Sequence, residues 1–182
     1  MSHTIALDSL LREATDASYR NLVTRPTGVA VRDRVVRVLR QEPRTQAVLD
    51  FSRIGLVDFS CADEVVAKLV QAMHELPVSR VILVGVRLDH AEAIEHALGR
   101  HGLMVLALEV GGVEPTLLGE VPADWRATFR LLATVPEAWT AERVAAQLGW
   151  TIPRARQALE GLCTCRCLLA VAADTYEIGA LA

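Results

Sequence analysis

Lysine is nearly absent from this chain: Lys68 is the only one among 19 basic residues, so arginine carries the positive charge. The net charge of −3 over 182 residues leaves no basic surplus to attract nucleic acid or an anionic membrane. No apolar run approaches the roughly 18 residues of a membrane span, so none is expected. Met1-Ser2-His3-Thr4 lacks a basic stretch followed by an apolar block. No secretory signal is expected, and the cytoplasm is the expected location. The C-x₂-C pairs of a structural zinc site are missing. Cys61 stands alone, and Cys163, Cys165 and Cys167 form a C-x-C-x-C run. A cytoplasmic setting argues against disulfides. Three cysteines so close would hold a soft metal only with backbone contortion. They read as small apolar residues at a helix end and strand start, and no metal or cofactor is expected. No G-x-S-x-G elbow, P-loop or H-E-x-x-H is present. His90, His96 and His101 are spaced for different helix faces and read as surface or boundary residues.

What is present is an alternation of strands and helices. Thr4 to Leu7 is a short apolar run, and residues 8–27 are mixed, ending in the turn signal Thr24-Arg25-Pro26-Thr27-Gly28. Val29 to Leu39 reads as a helix ended by Pro43, and Ala47 to Phe51 as a strand. Cys61 to Leu76 carries Ala62, Val66, Leu69 and Met73 at helical spacing and stops at Pro77. Arg80 to Val86 is a continuous apolar run, as in a strand buried on both faces. A helix at Ala91 to Arg100 and a strand at Leu103 to Val110 follow. The order predicts an α/β domain with a mixed sheet. Gly111 to Pro115 looks like a break. Beyond it come three helices and a hairpin, the order of a winged helix. The expected organisation is an α/β domain over residues 1–112, a linker over 113–121, and a small α+β domain over 122–182.

The run Leu49 to Glu64 is the densest in chemistry, because an apolar strand meets Ser60 and a helix begins at once. Three roles are open to Ser60. As a cap, its oxygen would take the Asp63 N–H while the Asp63 carboxylate reaches back, worth roughly 1 kcal/mol. As a phosphate acceptor it would sit at a helix N-terminus that favours negative charge. As a nucleophile it has no histidine nearby in sequence. Cys61 shares the helix N-terminus, a position that lowers a thiol pKa, but is expected to pack inside. Asp63 and Glu64 are adjacent, so they are expected to diverge on a helix rather than form an acid/base pair. A non-catalytic protein is expected.

Asp58-Phe59-Ser60-Cys61 resembles the Asp-Ser-Ser-Gly-like turn of the STAS domain in bacterial anti-sigma factor antagonists, with Ser60 on the phosphorylated position. Phe59 replaces the first serine of that turn and Cys61 its glycine. Arg25, Gly28 and Arg32, then Asp50-Phe51-Ser52, then Ser60-Cys61-Ala62-Asp63-Glu64, are more closely similar to STAS-like regulators of uncharacterised role. This resemblance covers about residues 22–110. It implies a STAS-like mixed sheet with helices. It also implies a phospho-sensitive protein interaction through Ser60, with Asp58, Phe59, Cys61, Asp63 and Glu64 as partner-binding residues. The implied partner is a serine kinase of the anti-sigma ATPase type, carried on a separate chain because no ATPase motif is present here.

Trp139 to Thr151 resembles the helix-turn-helix of winged-helix regulators, and Ala155 to Leu162 continues like a recognition helix. Arg154, Arg156 and Gln157 would face a DNA groove. Residues 120–182 hold six arginines against seven acids, a net charge of −1. Phosphate neutralisation dominates DNA affinity, so such a module is a poor autonomous binder, although a homodimer would present two heads to one palindrome. Two readings stay open: a phospho-sensitive interaction protein with the winged helix as output module, and a DNA-binding transcription regulator whose first domain dimerises or senses a ligand.

Overall fold

A computed structural model of the chain describes residues 3–15, 20–41, 46–135 and 137–181. A five-stranded sheet is built from β1 (His3–Ala6), β2 (Gln46–Asp50), β3 (Arg80–Val86), β4 (Met104–Glu109) and β5 (Pro115–Gly119). The strands lie in sequence order; the first four are parallel and β5 runs antiparallel to β4. Helices α1 (Leu7–Thr15) and α2 (Arg25–Gln41) connect β1 to β2. Between β2 and β3, residues 59–75 form one helical segment: α3 (Phe59–Ala62), a π-helical turn (Asp63–Ala67), α4 (Lys68–Gln71) and a 3₁₀ turn (Ala72–Glu75). Helix α5 (Leu88–Gly99) precedes β4. The chain then forms α6 (Ala123–Ala133), β6 (Trp139–Thr140), α7 (Ala141–Leu148), α8 (Ile152–Thr164), β7 (Leu169–Ala172) and β8 (Thr175–Glu177). The last three strands make a second sheet, ordered β6-β8-β7. The protein is an α/β structure with a mixed sheet.

Period-2 alternation along the strands divides the interior into two cores. Ala47 and Leu49 of β2, Val81 and Leu83 of β3, and Val105 and Ala107 of β4 face the helices α1 to α5. Their neighbours Val48, Ile82, Met104 and Leu106 face the opposite way and pack with Phe129, Leu132, Trp139, Leu159 and Leu162 of the C-terminal half. The sheet is therefore covered on both sides, which is why β3 reads as a continuous apolar run. Polar ties cross the same boundary. Arg80, 2 % exposed, donates through Nε and Nη2 to Gln46 Oε1 (3.0 and 2.8 Å) and through Nη2 to the Ala180 carbonyl (2.7 Å). Arg166 Nη1 points at the carbonyls of Met73, Val78 and Ser79 at 3.3–3.4 Å.

Several local expectations change. The segment 113–121, expected as a linker, contains β5, and Leu117 and Leu118 are buried on opposite faces of the sheet. Proline opens that strand at the sheet edge, where its missing N–H removes no ladder bond. The Thr24 to Gly28 run is the start of α2 rather than a turn: Pro26 sits in the first turn, where it lacks an N–H that no carbonyl would accept. Pro43, the expected terminator of α2, lies outside the described residues. Thr140 caps α7 by accepting the Arg143 N–H (3.3 Å), whereas Thr151 precedes α8 without a side-chain cap bond. No helix among the described residues is long and apolar enough to cross a membrane.

Candidate functional site

The helix after β2 starts from Asp58, not from Ser60. Asp58 Oδ1 accepts the Cys61 N–H (2.7 Å) and Oδ2 accepts the Thr24 N–H (2.8 Å). Ser60 lies one residue inside the helix, half-buried, and its hydroxyl donates to Asp58 Oδ1 (2.8 Å). The expected capping box of Ser60 with Asp63 is thus corrected. Asp58, two residues upstream in extended backbone, holds the N-cap position, where its carboxylate meets the free N–H groups of the first turn. Burial opposes ionisation of Asp58. The Thr24 and Cys61 N–H groups and the Ser60 hydroxyl outweigh it and hold the carboxyl below its usual range.

Helix α2 lies close against this helix start. A Cβ on Gly28 would come within 2.9 Å of Glu64 Cβ and 3.0 Å of Cys61 Cα, so only glycine permits this approach. Arg25 and Arg32 stand one turn before and one turn after Gly28 on the same face. Arg25 Nη1 donates to Asp63 Oδ2 (3.0 Å) and Glu64 Oε1 (2.6 Å); Arg32 Nη1 bonds Glu64 Oε2. Lys68, the sole lysine, donates to Glu64 Oε1 (2.5 Å) from the next turn. His101, just past α5, lies 2.7 Å from Asp63 Oδ1 through Nε2. Asp63 and Glu64 therefore converge on Arg25 instead of diverging. The π-helical turn that begins at Asp63 is the local irregularity there, a feature often found at functional sites. Glu64 is 1 % exposed. Burial raises the cost of its charge, but Lys68, Arg25 and Arg32 more than compensate, and its carboxyl lies below the usual range. Asp63 behaves alike: burial is overcome by His101, Arg25 and Lys68.

Cys61 is fully buried, with Sγ 3.0 Å from the Thr24 carbonyl. Burial and the neighbouring Asp58 push its thiol up to about 12, opposite to the effect of a helix N-terminus alone. It is a packing residue with no thiolate to offer. Phe59 turns the other way: its ring lies 4.6 Å from the His96 ring and 5.5 Å from the Arg100 guanidinium carbon. Of the three histidines read as surface or boundary residues, His90 is fully buried and reaches the Gly55 carbonyl through Nε2 (2.9 Å). It braces the loop before Asp58.

In the C-terminal half, Arg154, Arg156 and Gln157 are exposed on α8. Arg154 is bidentate to Asp124 (2.8 and 2.6 Å) and stacks 4.2 Å from the Trp150 ring. Arg156 is bidentate to Asp174 (3.2 and 3.0 Å). Both guanidinium groups are neutralised within the chain. Cys163 and Cys165 are half-buried and Cys167 is buried; burial raises all three thiols. Among the described residues no group of three or more His, Cys, Asp or Glu is arranged to hold a metal ion.

Comparison of the chain with protein-family models, curated proteins and solved structures finds no match. The geometry brings Asp58, Ser60 and Cys61 together at one helix entry, and Asp63 and Glu64 together one turn on. Lys68 and His101 belong to the same cluster without having been singled out as site residues. Lys68 had a signal, the Glu64-to-Lys68 spacing of four residues. His101 lies 38 residues beyond Asp63, and nothing local announces its approach.

Proposed function

We propose that the chain is a bacterial regulatory protein acting by phospho-sensitive protein–protein interaction, with the five-stranded sheet and its helices, β5 included, as a STAS-like domain and residues 122–182 as a winged-helix output module. One observation carries the reading: the half-buried Ser60 hydroxyl donates to the same Asp58 oxygen that caps the helix. Phosphorylation removes that donor and sets about two negative charges against the capping carboxylate. The helix N-terminus attracts the phosphate while Asp58 repels it, so the entry loop must rearrange, and the surface it presents rearranges with it. The resembled families point to a separate serine kinase of the ATPase type as partner. Asp63, Glu64, Arg25 and Arg32 hold α2 and the helix after β2 as one unit, which transmits the change beyond the loop.

The DNA-binding alternative rests on Arg154, Arg156 and Gln157 being exposed, and is weakened by the bidentate bonds of both arginines to Asp124 and Asp174. The deciding experiment is affinity purification from the native cell with intact-mass analysis of Ser60. Binding of the captured partner is then measured for the wild type and Ser60→Asp. Reduced affinity in the variant is expected; full affinity refutes the switch. Duplex-binding assays over a salt series separate the readings, because tight binding with a steep salt slope marks a DNA binder.

A further inference from the structure

Ser60 and the start of α2 hang on one carboxylate. Asp58 Oδ1 accepts the Ser60 hydroxyl (2.8 Å), and Oδ2 accepts the Thr24 N–H (2.8 Å). Thr24 is held there at φ +72°, a left-handed conformation in which a β-branched residue is strained. Its carbonyl accepts the Gly28 N–H (3.1 Å), so Thr24 fixes the first turn of α2. Arg25 follows directly, with its side chain 50 % exposed. It reaches Asp63 and Glu64, which lie three and four residues beyond Ser60 and therefore on the same helical face. The Arg25 guanidinium thus stands about one helical turn from the Ser60 hydroxyl.

Arg25 is also the member of the ion cluster whose departure costs least. Without it, Glu64 keeps Arg32 and Lys68, and Asp63 keeps His101 at 2.7 Å with Lys68 4.0 Å away. Neither buried carboxylate is orphaned, and an orphaned buried charge is the costly outcome. The other cations are placed less well for Ser60. Arg32 lies about two turns along α2 from Arg25, and Lys68 about two turns beyond Ser60. Arg100 stands 5.5 Å from the centre of the Phe59 ring, and Phe59 is turned about 100° from Ser60 on the helix.

We propose that Arg25 is the internal receiver of a phosphate on Ser60: it leaves Asp63 and Glu64, grips the phosphate through its guanidinium fork, and re-aims the first turn of α2. The proposal rests on the reading of Ser60 as a phosphate acceptor. In that modification a serine kinase joins Ser60 Oγ to the γ-phosphorus of ATP. The bond from that phosphorus to the β,γ-bridging oxygen breaks, ADP leaves, and the hydroxyl proton passes to solvent. The phosphate then repels Asp58, which lets go of the Thr24 N–H, and the strained Thr24 backbone relaxes as Arg25 turns.

The test is a ³¹P NMR titration of the ¹⁵N-labelled full chain carrying phosphoserine at residue 60, introduced during translation. It is run with the otherwise wild-type sequence, with Arg25→Gln and with Arg100→Gln. A cation in contact favours the dianion, so the second ionisation of the phosphate is expected about one unit lower with Arg25 than with Arg25→Gln. Arg100→Gln should leave that lowering intact. In the wild-type sequence, which needs no further substitution to be read, phosphorylation should shift the amides of Thr24, Arg25 and Gly28. Equal ionisation with and without Arg25, a lowering lost in Arg100→Gln instead, or amide shifts confined to residues 58–64 overturns the proposal. The phosphate is built in, so none of these results depends on a kinase or a partner, and each leaves the Ser60 switch standing. A partner indifferent to Ser60→Asp removes the switch and leaves the Arg25 contact untouched.

Discussion

Glu64→Gln is the sharpest probe of the ion cluster, because it keeps the side-chain volume and removes only the charge that Arg25, Arg32 and Lys68 share. Removing one member of a buried ion pair costs about 3–5 kcal/mol, since the remaining charge stays uncompensated. Here the side chains of Arg25, Arg32 and Lys68 are 50 %, 24 % and 37 % exposed, so water partly replaces the lost carboxylate. Arg25 also keeps Asp63 at 3.0 Å. The expected loss is therefore nearer 2 kcal/mol at neutral pH, a drop in Tm of about 4–8 °C for a chain of this size. The pH dependence is equally specific. The folded-state pKa of Glu64 is lowered, so its contribution is present above the unfolded-state value, near 4.5, and is lost as pH falls through the folded value. Urea unfolding of wild type and variant at pH 7, 5 and 3.5 should give a gap that is full at the first two and shrinks at the last. Equal midpoints at pH 7, or a gap that stays constant down to pH 3.5, refutes the account of Glu64 as the anionic centre of the cluster.

The capping assignment makes Asp58→Ala costly, about 1–2 kcal/mol in urea unfolding, and Ser60→Ala mild, under about 1 kcal/mol. The reverse order would restore Ser60 as the cap. Cys61, buried with its thiol near 12, should resist iodoacetamide at pH 8 in the folded protein and react on unfolding, as read by mass spectrometry. Rapid labelling of folded Cys61 would contradict its packing role.

Much of the architecture follows from local pattern. The apolar run of β3 announces a strand covered on both faces, and the spacing of Ala62, Val66, Leu69 and Met73 announces the helical segment that ends before Pro77. Strand β5 was hidden because Pro-Thr-Leu-Leu-Gly after two glycines carries turn residues at both ends, and its edge position tolerates the proline. The start of α2 was hidden by the same ambiguity, since proline serves both a turn and a first helical turn. At the site, the residue types were legible and their pairing was not. Ser60 with Asp63 has the spacing of a capping box, yet Asp58 wins because the chain enters the helix two residues earlier. A regular α-helix would separate Asp63 from Glu64 by about 100°, and the π-helical turn beginning at Asp63 departs from that geometry.

By itself the sequence determined the alternation of strands and helices and the presence of a helix start close to Ser60. Periodicity and residue size are local properties, so they survive without knowledge of the fold. Only the tertiary structure decided that the C-terminal half closes the second face of the sheet, that Arg25, Lys68 and His101 gather around Asp63 and Glu64, and that the α8 arginines spend their charge on Asp124 and Asp174. Each of these joins residues far apart in the chain, and their meeting depends on how the elements pack, which no spacing along the sequence encodes.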